Sequence, residues 1–262
     1  MRVLALDFDG VISDSAGESF LVALRTYTRL RPGSRFCTAA SDLDGAPRAA
    51  ILAHPVYLDF LALMPLGNRA EDFAVALGLL EAGRQVGDQA AYDLEKSSQP
   101  EDFLSDYHAE FYLERQRLTE ADPEAWLELL GPYPDFIALL ARRAGDVELA
   151  LATAKDRRSV DALLCAYGID SLFASDRVLD KDTGVDKSAH LRALQARSGV
   201  GFEEITFIDD KVNHLDSTAR LGVRCGLATW GYNGVRERAL AEDRGYMLID
   251  LEDAERQLFG AP

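Results

Sequence analysis

Polar side chains able to do chemistry stand at the ends of three apolar runs in this sequence. Val3-Leu4-Ala5-Leu6 runs into Asp7-Phe8-Asp9-Gly10. Val147 to Ala152 runs into Thr153, and Ile205-Thr206-Phe207-Ile208 runs into Asp209-Asp210. In open parallel sheets, ligands bind beyond the carboxyl ends of the strands. If these runs are neighbouring strands, the carboxylates and the Thr153 hydroxyl converge on one small volume. Bare carboxylates so close repel strongly. A hard divalent cation with oxygen ligands resolves that repulsion, and Mg²⁺ is the natural candidate.

The elements that must position these groups are legible as well. The runs are continuous rather than alternating, which suits parallel strands buried on both faces. Val223 to Ala228 and Tyr246 to Ile249 read as further strands. Helical patterns cover 134–143, 158–167, 188–198, 213–221 and 253–259. Alternating strands and helices predict an α/β fold, a Rossmann-like doubly wound parallel sheet. Residues 15–130 break the rhythm. They show helical apolar spacing, as in Phe103, Tyr107 and Phe111, and are punctuated by Pro32-Gly33, Pro47, Pro55, Pro65 and Pro123. An insertion this long is expected to be its own helical domain. Gly131-Pro132-Tyr133-Pro134 then reads as the hinge back into a core built from 1–14 and 131–262.

Composition narrows the function. The chain has 262 residues, 28 Lys+Arg against 44 Asp+Glu, and a formal net charge of -16. That argues against nucleic-acid partners, which bind clustered cations. It leaves small anionic substrates open, because a few local cations or a metal can reverse the field inside one cleft. Cys37, Cys165 and Cys225 form no CxxC pair and read as free thiols in a reducing compartment. No apolar stretch is long enough for a secretory signal or a membrane span, so a cytoplasmic protein is expected.

Asp7-Phe8-Asp9-Gly10-Val11, followed by Asp14-Ser15, resembles the first motif of the haloacid dehalogenase-like hydrolase superfamily. Thr153, Lys187 and Ile208-Asp209-Asp210 resemble the second, third and fourth motifs, in the right order. Tyr133-Pro134-Asp135-Phe136 resembles the segment leaving the cap, and Ala228 to Tyr232 resembles a loop of phosphoglycolate-phosphatase-like members. The likeness covers about Met1 to Ser15 and Gly131 onward; the insertion resembles a helical cap domain in position and character only.

The resemblance implies an Mg²⁺-dependent phosphatase acting on a small phosphate monoester. Asp7 would be the nucleophile and form an aspartyl-phosphate. Asp9 would protonate the leaving oxygen and then activate water, a second task that one carboxylate cannot share. Thr153 would donate to a phosphoryl oxygen, and Lys187 would neutralise the phosphate and Asp7. Asp7, the Asp9 carbonyl and Asp209 would hold the metal, with Asp210 as a second ligand, an orienting group or a helix cap. Retention of Asp9 favours phosphoryl transfer over carbon–halogen cleavage, because an expelled halide needs no proton.

Each residue also has a plainer reading. Thr153 could cap the following helix, and Lys181 rivals Lys187. Asn213 stands where relatives carry an acid. Lys96 reads as an exposed helix end, not a Schiff-base lysine. Arg25, Arg29, Arg31, Arg35, His54, Asn68 and Arg69 are candidates to meet substrate, each with solvated surface as the alternative; His108, Trp126 and Trp230 read as packing residues. A phosphomutase acting on a sugar phosphate, or a binding protein without catalysis, are the rival functions. Substrate identity and oligomeric state are not encoded in any motif here.

Overall fold

None of the four residues of β1 (Val3–Leu6) has exposed surface. Burial on both faces is what an apolar run without alternation demands. The structure, a computed structural model, describes residues 1–67, 69–184 and 186–260. Seven further strands follow: β2 (Ser13–Asp14), β3 (Gly131–Pro132), β4 (Glu148–Ala152), β5 (Val178–Leu179), β6 (Ile205–Asp209), β7 (Arg224–Ala228) and β8 (Met247–Ile249). Six form one sheet in the order β5-β4-β1-β6-β7-β8, and every pairing in it is parallel. The predicted α/β doubly wound sheet is therefore present. The chain runs outward from β1 through β4 to β5, then from β6 to β8 on the other side, so the winding reverses at β1.

Helices Pro134–Arg143, Arg157–Ala166, Lys187–Ser198, Val212–Ala219 and Val235–Asp243 make the crossovers. One face of the sheet packs Val3, Ala5, Ala150, Ala152 and Phe207 against Leu191, Leu194 and Leu215 of these helices. Two elements escaped the sequence pattern. β5 is two residues long, and Val235–Asp243 is charged nearly all round, with little apolar stripe to read. The segment read as a hinge contains β3, which pairs antiparallel with β2 (Ser13↔Pro132, Asp14↔Gly131). The two passages of the chain out of the sheet are thus tied by a short ladder.

Contacts divide the chain into two units, Met1–Asp14 with Gly131–Pro262, and Ser15–Leu130. The second is helical throughout its described elements. Its core is a run of aromatic contacts, Phe20–Phe60 at 5.3 Å, Phe60–Phe73 at 5.3 Å and Phe73–Phe111 at 5.6 Å between ring centroids. Glu18 is fully buried there and holds Arg115 through two bonds of 2.6 and 2.8 Å, with Trp126 Nε1 at 3.4 Å. Among the described residues, no helix is long and apolar enough to cross a membrane.

The ion pair is lopsided, because the Arg115 side chain keeps 24% exposure and Glu18 only 1%. Removing the arginine strands a buried carboxylate; removing the glutamate leaves a cation that can reach water. We expect Arg115→Leu to cost about 3–5 kcal/mol, Glu18→Leu clearly less, and the double variant to recover part of the larger loss. Urea denaturation midpoints of the three variants check this, and equal losses for the two single changes would contradict it.

Candidate active site

Strand register brings the strand-end residues together. Leu6 of β1 pairs with Leu151 of β4 and with Ile208 of β6. The next residues along, Asp7, Ala152-Thr153 and Asp209, therefore leave the sheet at one level, and the Asp7 amide donates to the Ile208 carbonyl at 2.9 Å. Asp7, Thr153, Asp209 and Asp210 are all buried, while Asp9 is half-buried. Asp7 Oδ1 accepts from the Phe8 amide at 2.7 Å and from Lys187 Nζ at 2.6 Å.

Lys187 opens the helix Lys187–Ser198, which Asp186 caps by accepting from the Ala189 amide. That start aims the lysine at the sheet. Its Nζ also donates to the Ala152 carbonyl at 2.6 Å and lies 3.6 Å from Asp209 Oδ2. Lys181 is exposed, and its amide donates to the Lys155 carbonyl. Of the two lysines, the structure brings Lys187 to the carboxylates.

Thr153 does not cap the next helix; Asp156 does, accepting from the Ser159 amide. The Thr153 hydroxyl accepts from the Lys155 amide at 3.1 Å, which leaves its own hydrogen as a donor. Lys155, two residues beyond Thr153, places Nζ 3.1 Å from Asp9 Oδ1 with its side chain only 8% exposed.

Asp210 takes a different place from Asp7 and Asp209. Its Oδ2 accepts from the Tyr232 amide at 2.8 Å. Two glycines make room for it. A Cβ on Gly10, where φ is +82°, would lie 2.6 Å from Asp210 Oδ2, and one on Gly231 would lie 2.4 Å from the Asp210 Cβ. The helix Val212–Ala219 takes no side-chain cap from Asp210, its cap position being Lys211. Asp210 thus anchors the loop after β7 through one oxygen and caps no helix, while its Oδ1 is buried with no hydrogen-bond partner among the described residues.

The residue that sequence reading passed over is His214. Its Nδ1 lies 3.1 Å from both oxygens of Asp209. Asp7, Asp209 and His214 offer ligand atoms that all lie within 4.8 Å of one another. The helix begins at Val212, so its first turn presents His214 and not Asn213, which the motif pointed to. The only signal was its position one turn beyond the strand end.

Electrostatics show what this cluster lacks. Burial pushes the Asp7 carboxyl up to about 7; Lys187 opposes the shift and Asp209 adds to it. Burial also works against charge on Asp209, but His214 and Lys187 outweigh it and hold the carboxyl well below the usual range. Burial, opposed by Lys211 and reinforced by Asp209, pushes Asp210 up to about 6. The cluster is short of positive charge, and its donors are mainly carboxylate oxygens. A divalent cation fits both facts.

In the helical unit, the arginine and histidine candidates have partners of their own. Arg25 pairs with Asp44 at 2.5 Å and Arg29 with Glu114 at 2.8 Å. Arg31 lies over the Phe103 ring, Arg35 reaches the Leu80 carbonyl, and His54 and Arg69 occupy helix cap positions. Asn68 lies outside the described residues. Lys96 is ion-paired to Asp72 at 2.6 Å, and half-exposed His108 to Glu71 at 2.9 Å. Trp126 is buried, and Trp230 packs on Phe136 with its Nε1 donating to the Val11 carbonyl.

Comparison with known proteins places this geometry. A curated relative, phosphoglycolate phosphatase 1 of Pseudomonas aeruginosa, is 30% identical over 133 residues, 50% of this chain and 47% of that protein. The match thus spans about half the length of that relative. A crystal structure described as a predicted phosphoglycolate phosphatase from Haemophilus somnus superposes with a TM-score of 0.62 at 18% identity, covering 97% of this chain and 96% of that one. A haloacid dehalogenase-like family hydrolase from Streptococcus pneumoniae gives a TM-score of 0.60 at 14% identity, over 95% and 93% of the two chains. Likeness at such identities carries the fold alone. The haloacid dehalogenase-like hydrolase family itself matches residues 1–222, and the chain belongs to that family.

Proposed function

We propose that this protein is a divalent-cation-dependent phosphatase that hydrolyses a small phosphate monoester through an aspartyl-phosphate on Asp7. The observation that carries the reading is the buried Asp7 carboxylate, fixed by Lys187 and the Phe8 amide on one oxygen, beside Asp209. Both donors sit on Oδ1, so the plane of the carboxylate is set before substrate arrives, and preorganisation of this kind lowers a barrier without later rearrangement.

An Asp7 oxygen attacks phosphorus, and the ester P–O bond breaks. Asp9, having exchanged its contact with Lys155 for the substrate and taken up a proton from solvent, gives that proton to the departing oxygen. In the second step Asp9 removes a proton from water, the water oxygen bonds to phosphorus, and the Asp7–phosphorus bond breaks to release phosphate. Thr153 donates to a phosphoryl oxygen, and Lys187 balances charge on the phosphoryl group and Asp7. A bound cation, Mg²⁺ in this reading, would be held by Asp7, the Asp9 main chain and Asp209 and would neutralise carboxylate and phosphoryl charge. Asp210 keeps the loop after β7 in place. We assign 1–14 and 131–262 to catalysis and 15–130, as a cap domain, to substrate choice. The relative's name makes phosphoglycolate the first substrate to try, and a soluble, cytoplasmic setting suits such a metabolite.

Asp7→Asn is expected to lower phosphate release by at least about a thousandfold, measured with Mg²⁺ across small phosphorylated acids, sugars and nucleotides. Appreciable turnover in that variant would overturn the mechanism, and transfer to a second sugar hydroxyl in place of free phosphate would make the protein a mutase. Added Mg²⁺ should raise the melting temperature of the native chain but not of Asp209→Asn; an equal rise in both removes Asp209 from the metal site. Asp210→Asn keeps an oxygen for the Tyr232 amide, so Mg²⁺ affinity should stay within a few-fold of native by calorimetry. A loss as large as that in Asp209→Asn would make Asp210 a ligand.

A further inference from the structure

The mechanism above gives His214 no task, yet its ring faces the centre of the site. Nδ1 is 3.1 Å from Asp209 Oδ1 and 3.1 Å from Oδ2, and the ring keeps 26% exposure. Both spacings lie within the range of about 2.7–3.2 Å of an N–H···O bond, shared between the two oxygens rather than given to one. They equally match neighbouring donors of a six-coordinate ion, which lie about 3 Å apart when each is about 2.1 Å from the metal. The His214 carbonyl accepts from the hydroxyls of Ser217 and Thr218, which ties down the helical turn that carries the ring.

We propose that His214 is itself a metal ligand, and that it biases the site toward Mn²⁺ and Co²⁺ over Mg²⁺. This rests on reading Asp7 and Asp209 as a metal site. Mg²⁺ is a hard ion that takes oxygen ligands, whereas imidazole nitrogen bonds more strongly to first-row transition ions. Two carboxylates and one imidazole within 4.8 Å form a mixed oxygen–nitrogen set. A purely carboxylate site lacks that discrimination.

The experiment titrates metal-free protein separately with Mg²⁺, Mn²⁺ and Co²⁺ by calorimetry, in the native chain, His214→Gln, His214→Asn and Asp209→Asn. Replacing His214 is expected to weaken Mn²⁺ and Co²⁺ by about tenfold or more while Mg²⁺ changes by less than about threefold. Pulsed electron paramagnetic resonance of Mn²⁺ bound to the native chain should show coupling to a directly coordinated nitrogen, absent from both His214 variants. A histidine that only orients Asp209 would weaken all three ions alike and show no such coupling, and that result overturns the inference. The native-chain resonance spectrum decides the point even if the variants fold poorly. If Asp209→Asn leaves binding of every ion unchanged, or no ion binds, the metal reading of the site falls first and His214 with it.

Discussion

Three buried carboxylates held at the carboxyl ends of adjacent strands set the terms for the rest of this molecule. A buried ionised carboxylate is costly unless paired and hydrogen-bonded. Here Asp7 has Lys187 and the Phe8 amide, Asp209 has the Lys211 amide and the His214 ring, and Asp210 has the Tyr232 amide. The partners come from the strand ends themselves, from the helix Lys187–Ser198, from the start of the helix Val212–Ala219 and from the loop after β7, and each of these must begin or end at a defined place. Lys187 works because its helix starts at that residue; Tyr232 works because the loop after β7 brings Gly231 against Gly10 and Asp210. Neither glycine tolerates a side chain against Asp210, so the loop geometry and the carboxylate depend on each other.

Much of this is legible in the residues because buried parallel strands leave a plain mark. β1 is an unbroken apolar run, β4, β6 and β7 are apolar apart from Glu148, Thr206, Asp209 and Arg224, and three of the four lead into the polar groups that meet at the site. Once neighbouring strands are assumed, their register does the rest. What stays illegible has physical causes. β5 is too short to show a pattern. The helix Val235–Asp243 is held through its ends and a few side chains rather than by an apolar stripe; Glu237 accepts from the Gly234 amide, and Ala241 is its fully buried residue. His214 was hidden because the motif's spacing points to Asn213, and one position along a helix turns the side chain by about 100°. That is enough to exchange Asn213 for His214 at the site.

The helical unit is the opposite case. Its helices can be read from apolar spacing, but the tasks of its charged residues cannot. Glu114 alone draws Arg25, Arg29 and Arg117, and Glu18 takes Arg115. Cations that look available in a linear chain are thus engaged by acids as many as 97 residues away.

The acidity of the chain sharpens the problem of binding an anion. A net charge of -16 would seem to repel a phosphate ester, but charges farther than about 8 Å are largely screened at physiological salt. Local balance decides instead. Lys187 and Lys155 are largely sequestered from solvent and ion-paired, to Asp7 and Asp9 respectively, while the charge of buried Lys211 opposes the upward shift of Asp210. Under the proposed function, an arriving phosphoryl group competes with these carboxylates for the lysines. A divalent cation held by Asp7 and Asp209 would relieve the carboxylates and let the lysines turn to the ester. On that reading cation and substrate binding are coupled through shared lysines, and by linkage each tightens the other.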